Sequence, residues 1–180
     1  SFWKRHSRPG HAASIARATQ KRVLVIDGDL RDPGVHQVFE VPRMPGLTNV
    51  LSGECSIDYA IVATRTELVD VLSAGYLDGN PYRLLEERRW SKLMESIPPE
   101  YRYVIIDSPP ILSASEALVL ARKSDAVLIC AMRNVTRLSQ LKKATERVLA
   151  AGATVAGMVL SGVPAGQYAD RYGSYFFETD

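Results

Sequence analysis

A chain of 180 residues, 46% apolar and 23% charged, is long enough for one domain with a sizeable core, and its balance excludes a disordered or collagen-like chain. The net charge of +2 gives no argument for or against nucleic acid, and no apolar stretch approaches the roughly 18 residues a membrane span needs. Cys55 and Cys130 stand apart, outside any C-x-x-C pair, which predicts reduced thiols in a cytosolic protein.

In chain order, Ser1–Gln20 is basic and the least legible part. Lys4, Arg5, Arg8 and Arg17 fall there without an acid, and Ala12–Thr19 has room for one or two helical turns. Lys21–Asp27, KRVLVID, is a short unbroken aliphatic run followed by glycine, the pattern of a parallel strand buried on both faces. Gly28–Pro33 is loop, and His36 falls in a short helix after it. Pro45-Gly46 turns the chain into a helix over Leu47–Leu51, closed by Ser52-Gly53. Glu67–Ser73 alternates as a strand. Asn80-Pro81 supplies a cap and a first-turn proline for one helix running to Ile97, with Trp90 as a packing residue and Pro98-Pro99 as the stop.

Tyr103–Asp107, YVIID, is a second buried strand ending in an acid. Ser113 and Glu116 have the spacing of a capping box for a helix over Ala114–Arg122. Ala126–Ala131 is a third buried strand and Thr154–Leu160 a fourth strand, separated by a helix over Arg137–Ala151 that Gly152 ends. Strands alternating with helices predict an α/β fold, a doubly wound, mainly parallel sheet with helices on both faces. The expected organisation is a basic segment over 1–20, a domain over 21–163 and a tyrosine-containing tail over 164–180.

Two of the strands end in acids, Asp27 with Asp29 close behind and Asp107. Ligands of open α/β sheets gather at the carboxyl ends of strands, where neighbouring parallel strands bring such acids together. Close carboxylates repel one another unless a cation compensates, and hard oxygen ligands suit Mg²⁺, which ordinarily keeps water and phosphate oxygens in its shell. The pattern therefore points to nucleotide chemistry.

KRVLVIDGDLRDP resembles the second Walker motif of the bacterial tyrosine kinases of capsule and exopolysaccharide synthesis, and RYVIIDSPP resembles their Walker B. PGLTNVLSGECSIDYAI, the DVLSAG…NP…LL stretch over Asp70–Leu85, EALVLARKSDAVLICAMRNVTR and GATVAGMVLSGV are similar to further segments of that family. The resemblance covers residues 21–163. It implies a P-loop-type ATPase fold, incomplete at its amino end, that uses ATP and Mg²⁺ to phosphorylate tyrosines. It implies that Asp27 and Asp107 hold the metal and that Asp29 accepts the proton of the incoming tyrosine. Arg31 would steady phosphate charge. Tyr168, Tyr172 and Tyr175 would be phospho-acceptors in the tail. The implied setting is cytoplasmic, at the inner face of the membrane through a membrane-bound polysaccharide co-polymerase or activator, with self-association and no nucleic acid.

Two departures bear on this expectation. No G-x-x-x-x-G-K-[ST] phosphate loop occurs in the 180 residues, and Trp3–Ser7 stands where the family carries it. The strand preceding that loop, interior to the family's sheet, is missing as well, which leaves its neighbours with unpaired backbone groups. Ser161 also replaces an amide that reads the adenine edge, and a hydroxyl lacks the amide's donor-plus-acceptor pair. The expectation is therefore a kinase-like domain impaired in ATP binding and autophosphorylation. Two alternatives are a non-catalytic partner for a polysaccharide chain-length regulator and a MinD- or ParA-type ATPase.

Overall fold

A computed structural model describes residues 10–163. Strand β1, Arg22–Asp27, is its spine, with Val23 to Asp27 all fully buried. Side chains along a strand alternate between faces, so β1 feeds two cores. Val23 and Val25 pack with Ala12 and Ala16 of helix α1 (Gly10–Thr19), Val35 and Phe39. Leu24 and Ile26 face the other way, onto Leu47, Leu51, Trp90 and Leu120. Helices thus cover both faces, as doubly wound architecture requires.

After β1 come α2 (Val35–Val38), α3 (Leu47–Ser52), α4 (Ile57–Ala60), β2 (Ile61–Ala63), β3 (Val69–Leu72), α5 (Pro81–Leu84) and α6 (Glu87–Glu95). The chain continues through β4 (Tyr101–Asp107), α7 (Glu116–Arg122), β5 (Val127–Met132), α8 (Leu138–Ala150) and β6 (Val155–Ser161). β1 lies between β3 and β4, parallel to both, and β2 adds an antiparallel edge. Near the amino ends of these strands, buried Asp70 pairs with Arg22 and accepts from the Tyr101 hydroxyl at 2.8 Å, tying β1, β3 and β4 together.

The strands do not all join. β5 and β6 pair in parallel with each other, and among the described residues neither hydrogen-bonds to the four-stranded sheet. The interruption falls between β4 and β5, and its effect is visible in burial. Arg102 and Tyr103 of β4 are exposed, and the aliphatic side chains of Leu128, Met158 and Leu160 are 54%, 56% and 58% exposed. The sequence expectation of a buried strand holds for β1 and not for β4 and β5. An aliphatic run is buried on both faces only where layers and neighbours surround it.

Two further expectations are corrected. The single helix over Asn80–Ile97 is two. Asn80 accepts from the Tyr82 N–H at 3.0 Å and Pro81 opens α5, but the chain leaves helical geometry at Glu86 and restarts. On one unbroken helix Trp90 would point about 140° away from Leu85; the break lets both enter the same core. The capping box at Ser113 is absent. The helix starts at Glu116, the Ser115 side chain makes no cap bond, and Glu116 turns inward.

Candidate metal and nucleotide site

The end of β1 delivers two carboxylates to the sheet's rim. Asp27 closes the strand, and its Oδ2 accepts from the Gly34 and Val35 N–H groups, each at 3.0 Å. Its Oδ1 is buried without a hydrogen-bond partner. Burial pushes the Asp27 carboxyl up to about 6, against the lowering effect of the two N–H donors, and the nearby Asp29 charge adds to the rise. Asp29 is 1% exposed; its Oδ1 accepts from the Asp32 N–H at 3.0 Å and its Oδ2 has no hydrogen-bond partner. Burial raises its pKa as well.

Asp107 arrives from the neighbouring strand. In the β1–β4 register it stands opposite Asp27, and it is buried. The pairing runs one residue further, where the Gly28 N–H donates to the Asp107 carbonyl at 2.8 Å. A Cβ on Gly28 would come within 2.7 Å of that carbonyl and 2.9 Å of Leu120, so glycine is what lets the two acid-bearing ends close up. Asp27, Asp29 and Asp107 therefore gather at one rim of the sheet.

The described side chains form no group of three or more His, Cys, Asp or Glu able to hold a metal ion on their own. The acids fit a different arrangement. Mg²⁺ commonly takes one or two carboxylates and completes its octahedron with phosphate oxygens and water. Buried acceptor oxygens without donors, on carboxyls that burial holds above their ordinary range, suit such a cation.

Arg31 leaves the loop after β1 and pairs through Nε with Glu116 Oε1, while the Tyr82 hydroxyl reaches Glu116 Oε2 at 3.2 Å and also contacts Ser115. Burial alone would raise the Glu116 carboxyl, but its own backbone N–H, Arg31 and Tyr82 outweigh it and hold the pKa below its usual value. Arg31, Glu116, Pro81, Leu85 and Pro109 line a seam beside Gly28. Sequence reasoning missed Glu116 as the partner of Arg31 and Tyr82 as the partner of Glu116, since Ser-x-x-Glu before an apolar run reads as a cap. Ser161 ends β6, opposite Met132 in the separate strand pair, so it is not in the sheet that carries the aspartates. Tyr168, Tyr172 and Tyr175 lie outside the described residues.

The AAA domain family matches residues 10–151. The chain is 33% identical over 168 residues to a Staphylococcus aureus protein named as a tyrosine-protein kinase, CapB, covering 92% of this chain and 71% of CapB. The chain belongs to the bacterial tyrosine-protein kinase family. Among solved structures it is similar to the kinase domain of the Escherichia coli tyrosine kinase ETK, with TM-score 0.78 and 32% identity over 84% of this chain and 59% of that one. The septum site-determining protein MinD of Pyrococcus horikoshii, solved with Mg-ADP, shares the fold at TM-score 0.65 and 23% identity, over 88% of this chain and 68% of that one. The chain spans between 21% and 23% of the length of several longer kinases of the family that it matches. No helix among the described residues is long and apolar enough to cross a membrane.

Proposed function

We propose that this chain carries the metal-holding and proton-accepting half of a tyrosine-kinase site. The observation that carries the reading is the register pairing of Asp27 with Asp107, beside buried oxygens of Asp27 and Asp29 that lack donors. Asp27 and Asp107 hold Mg²⁺, which when bound neutralises phosphate charge. Asp29 accepts the proton of an incoming tyrosine hydroxyl, a group whose pKa near 10 makes it a poor nucleophile unaided. The tyrosine oxygen then bonds to the γ-phosphorus of ATP, the bond to the β-phosphate oxygen breaks, and ADP leaves. A carboxyl held above its ordinary range is the better base for that transfer. Arg31 steadies phosphate charge, with Glu116 fixing where its guanidinium sits.

The acceptors in this reading are Tyr168, Tyr172 and Tyr175. The partner is a membrane-bound polysaccharide co-polymerase, which brings the domain to the inner face of the cytoplasmic membrane. That setting is carried over from the likeness to the family, whose relatives here are named tyrosine-protein kinases CapB and EpsB. The 180 residues contain no phosphate-cradling loop, so this chain alone binds Mg-ATP weakly and does not phosphorylate itself. Calorimetry of the 180-residue chain with Mg-ATP, followed by phosphotyrosine detection, tests this. Affinity weaker than about 1 mM with no phosphotyrosine is expected; submillimolar binding or a phosphorylated tail contradicts the impairment.

A further inference from the structure

Helix α8 carries a cluster of polar side chains outside the aspartate site. Gln140, Lys143 and Arg147 recur at intervals of three and four residues, so they share one flank of the helix, and Ala150 continues it. That flank faces the turn after β4. Arg147 Nη1 donates to the carbonyls of Ile111 and Leu112 at 3.2 and 3.3 Å, and the Ser113 and Ala114 N–H groups close the turn onto the Pro110 carbonyl at 2.9 and 3.0 Å. Between helix and turn lies an open groove of about 580 Å³, lined by these four helix residues with Leu112 and Glu146.

The groove keeps several donors in reserve. Arg147 uses only Nη1 on the turn, which leaves Nη2 and Nε. Gln140 accepts the Arg137 N–H at 3.1 Å through its side-chain oxygen, which leaves its amide N–H groups. Lys143 is exposed and forms no ion pair among the described residues, whereas Glu146, the one acid in the lining, pairs with Lys142 at 3.9 Å. Leu112 and Ala150 add apolar surface beside Arg147. Cationic and amide donors next to aliphatic surface match an anion carried on a flat apolar group. Tyrosine phosphate is such a group, with about two negative charges and three acceptor oxygens on an aromatic ring. Phosphoserine lacks the ring, and a single-stranded nucleic acid stacks on aromatic platforms that this lining does not contain.

We propose that this groove binds phosphotyrosine, and that its ligand is Tyr172 of this chain's own carboxyl-terminal segment once phosphorylated. Lys143, Arg147 and Gln140 take the phosphate, and the ring lies against Leu112. The neighbouring residue selects Tyr172 over Tyr168 and Tyr175. Arg171 precedes it and brings a positive charge to Glu146, whereas Gln167 and Ser174 precede the other two. The inference rests on the kinase reading for one thing only, the phosphate on Tyr172. The turn that walls the groove follows directly after Asp107, the last residue of β4, so the site is a place for the reaction's product and not for its nucleotide.

Fluorescence anisotropy on the 180-residue chain tests it, with no metal or nucleotide present. The probe is a labelled synthetic peptide of residues 166–177 phosphorylated at Tyr172. Expected is saturable one-to-one binding, about tenfold or more tighter than the unphosphorylated peptide or one with phosphoserine in place of Tyr172. Lys143→Gln weakens binding about fivefold or more, while Lys142→Gln, the same charge change one residue away, alters it less than about twofold. Glu146→Gln weakens the parent phosphopeptide and leaves its Arg171→Gln form unchanged. The site is overturned by equal affinity with and without phosphate, by equal affinity of the phosphoserine peptide, or by equal loss in the two lysine variants. Displacement by inorganic phosphate at the peptide's own concentration, or by a peptide of glutamates, also overturns it, as a general anion site or an acidic-peptide site. Equal affinity of peptides phosphorylated at Tyr168 or Tyr175 overturns the choice of Tyr172. Failure of the kinase reading leaves these curves unchanged, because synthesis places the phosphate; failure of the groove leaves Mg-ATP binding unchanged.

Discussion

Asp27 and Asp107 are register partners at the carboxyl ends of adjacent parallel strands, with the Gly28 N–H bonded to the Asp107 carbonyl just beyond. Their proximity is built by backbone pairing, not by side-chain reach. The two carboxylates therefore stay together whether or not anything neutralises them, and the energetic consequences fall on the isolated chain.

The first consequence is a pH-dependent stability penalty. Asp27 titrates near 3.8 when unperturbed and is pushed up to about 6 in the fold. A raised folded-state pKa gives a contribution that is full below about pH 4 and lost as pH rises through about 6. At pH 7.5 the ionised carboxylate costs about 3 kcal/mol, to order of magnitude. Asp27→Asn keeps an acceptor for Gly34 and Val35 and carries no charge. In urea unfolding without divalent metal, the variant is expected to gain about 2–3 kcal/mol relative to the parent between pH 4 and pH 7.5. A difference that does not change with pH would contradict the burial argument.

Gly28→Ala tests the close approach of the two strands. The added methyl meets the Asp107 carbonyl and Leu120 inside ordinary contact distance. Overpacking of this kind costs about 1–3 kcal/mol. The expected result in thermal unfolding is a loss in that range, with near-native secondary structure by circular dichroism. A neutral substitution would mean the β1 and β4 ends are not held together as described.

The Arg31–Glu116 pair predicts an asymmetry. Glu116 is buried and Arg31 half exposed. Removing the guanidinium leaves a buried carboxylate short of a partner, while neutralising the carboxylate leaves an arginine that reaches water. Arg31→Ala is expected to cost about 2–4 kcal/mol at pH 7, and Glu116→Gln less than about 1.5. Chemical denaturation of both variants settles the order, and equal or reversed costs would contradict it.

How much was legible in the sequence depended on how local each signal was. β1 and the acid-ended β4 were readable because an aliphatic run followed by Asp is a short-range pattern, and those runs delivered Asp27, Asp29 and Asp107 to one rim. Helix α4 and strand β2, four and three residues long, are too short to show a period. The break at Glu86 was hidden because Asn80-Pro81 marks a helix start and Pro98-Pro99 a stop, with no glycine or proline between them to mark a second start. Glu116 was misread because a pairing with Arg31, 85 residues away, leaves no mark beside it. The burial of β4 and β5 was overestimated for a related reason, since a strand's sequence states what it buries when neighbours are present and not whether they are.

The most direct measurement is Mn²⁺ binding, followed by proton relaxation enhancement at pH 7.5, for the 180-residue chain and its Asp27→Asn, Asp107→Asn and Glu67→Gln variants. A cation shared across the β1–β4 pair predicts one site on the parent, loss of about tenfold or more in affinity for each aspartate variant, and no change for exposed Glu67. Equal Mn²⁺ affinity in the parent and Asp107→Asn would contradict it, because Asp27 would then hold its ion without the residue that stands opposite.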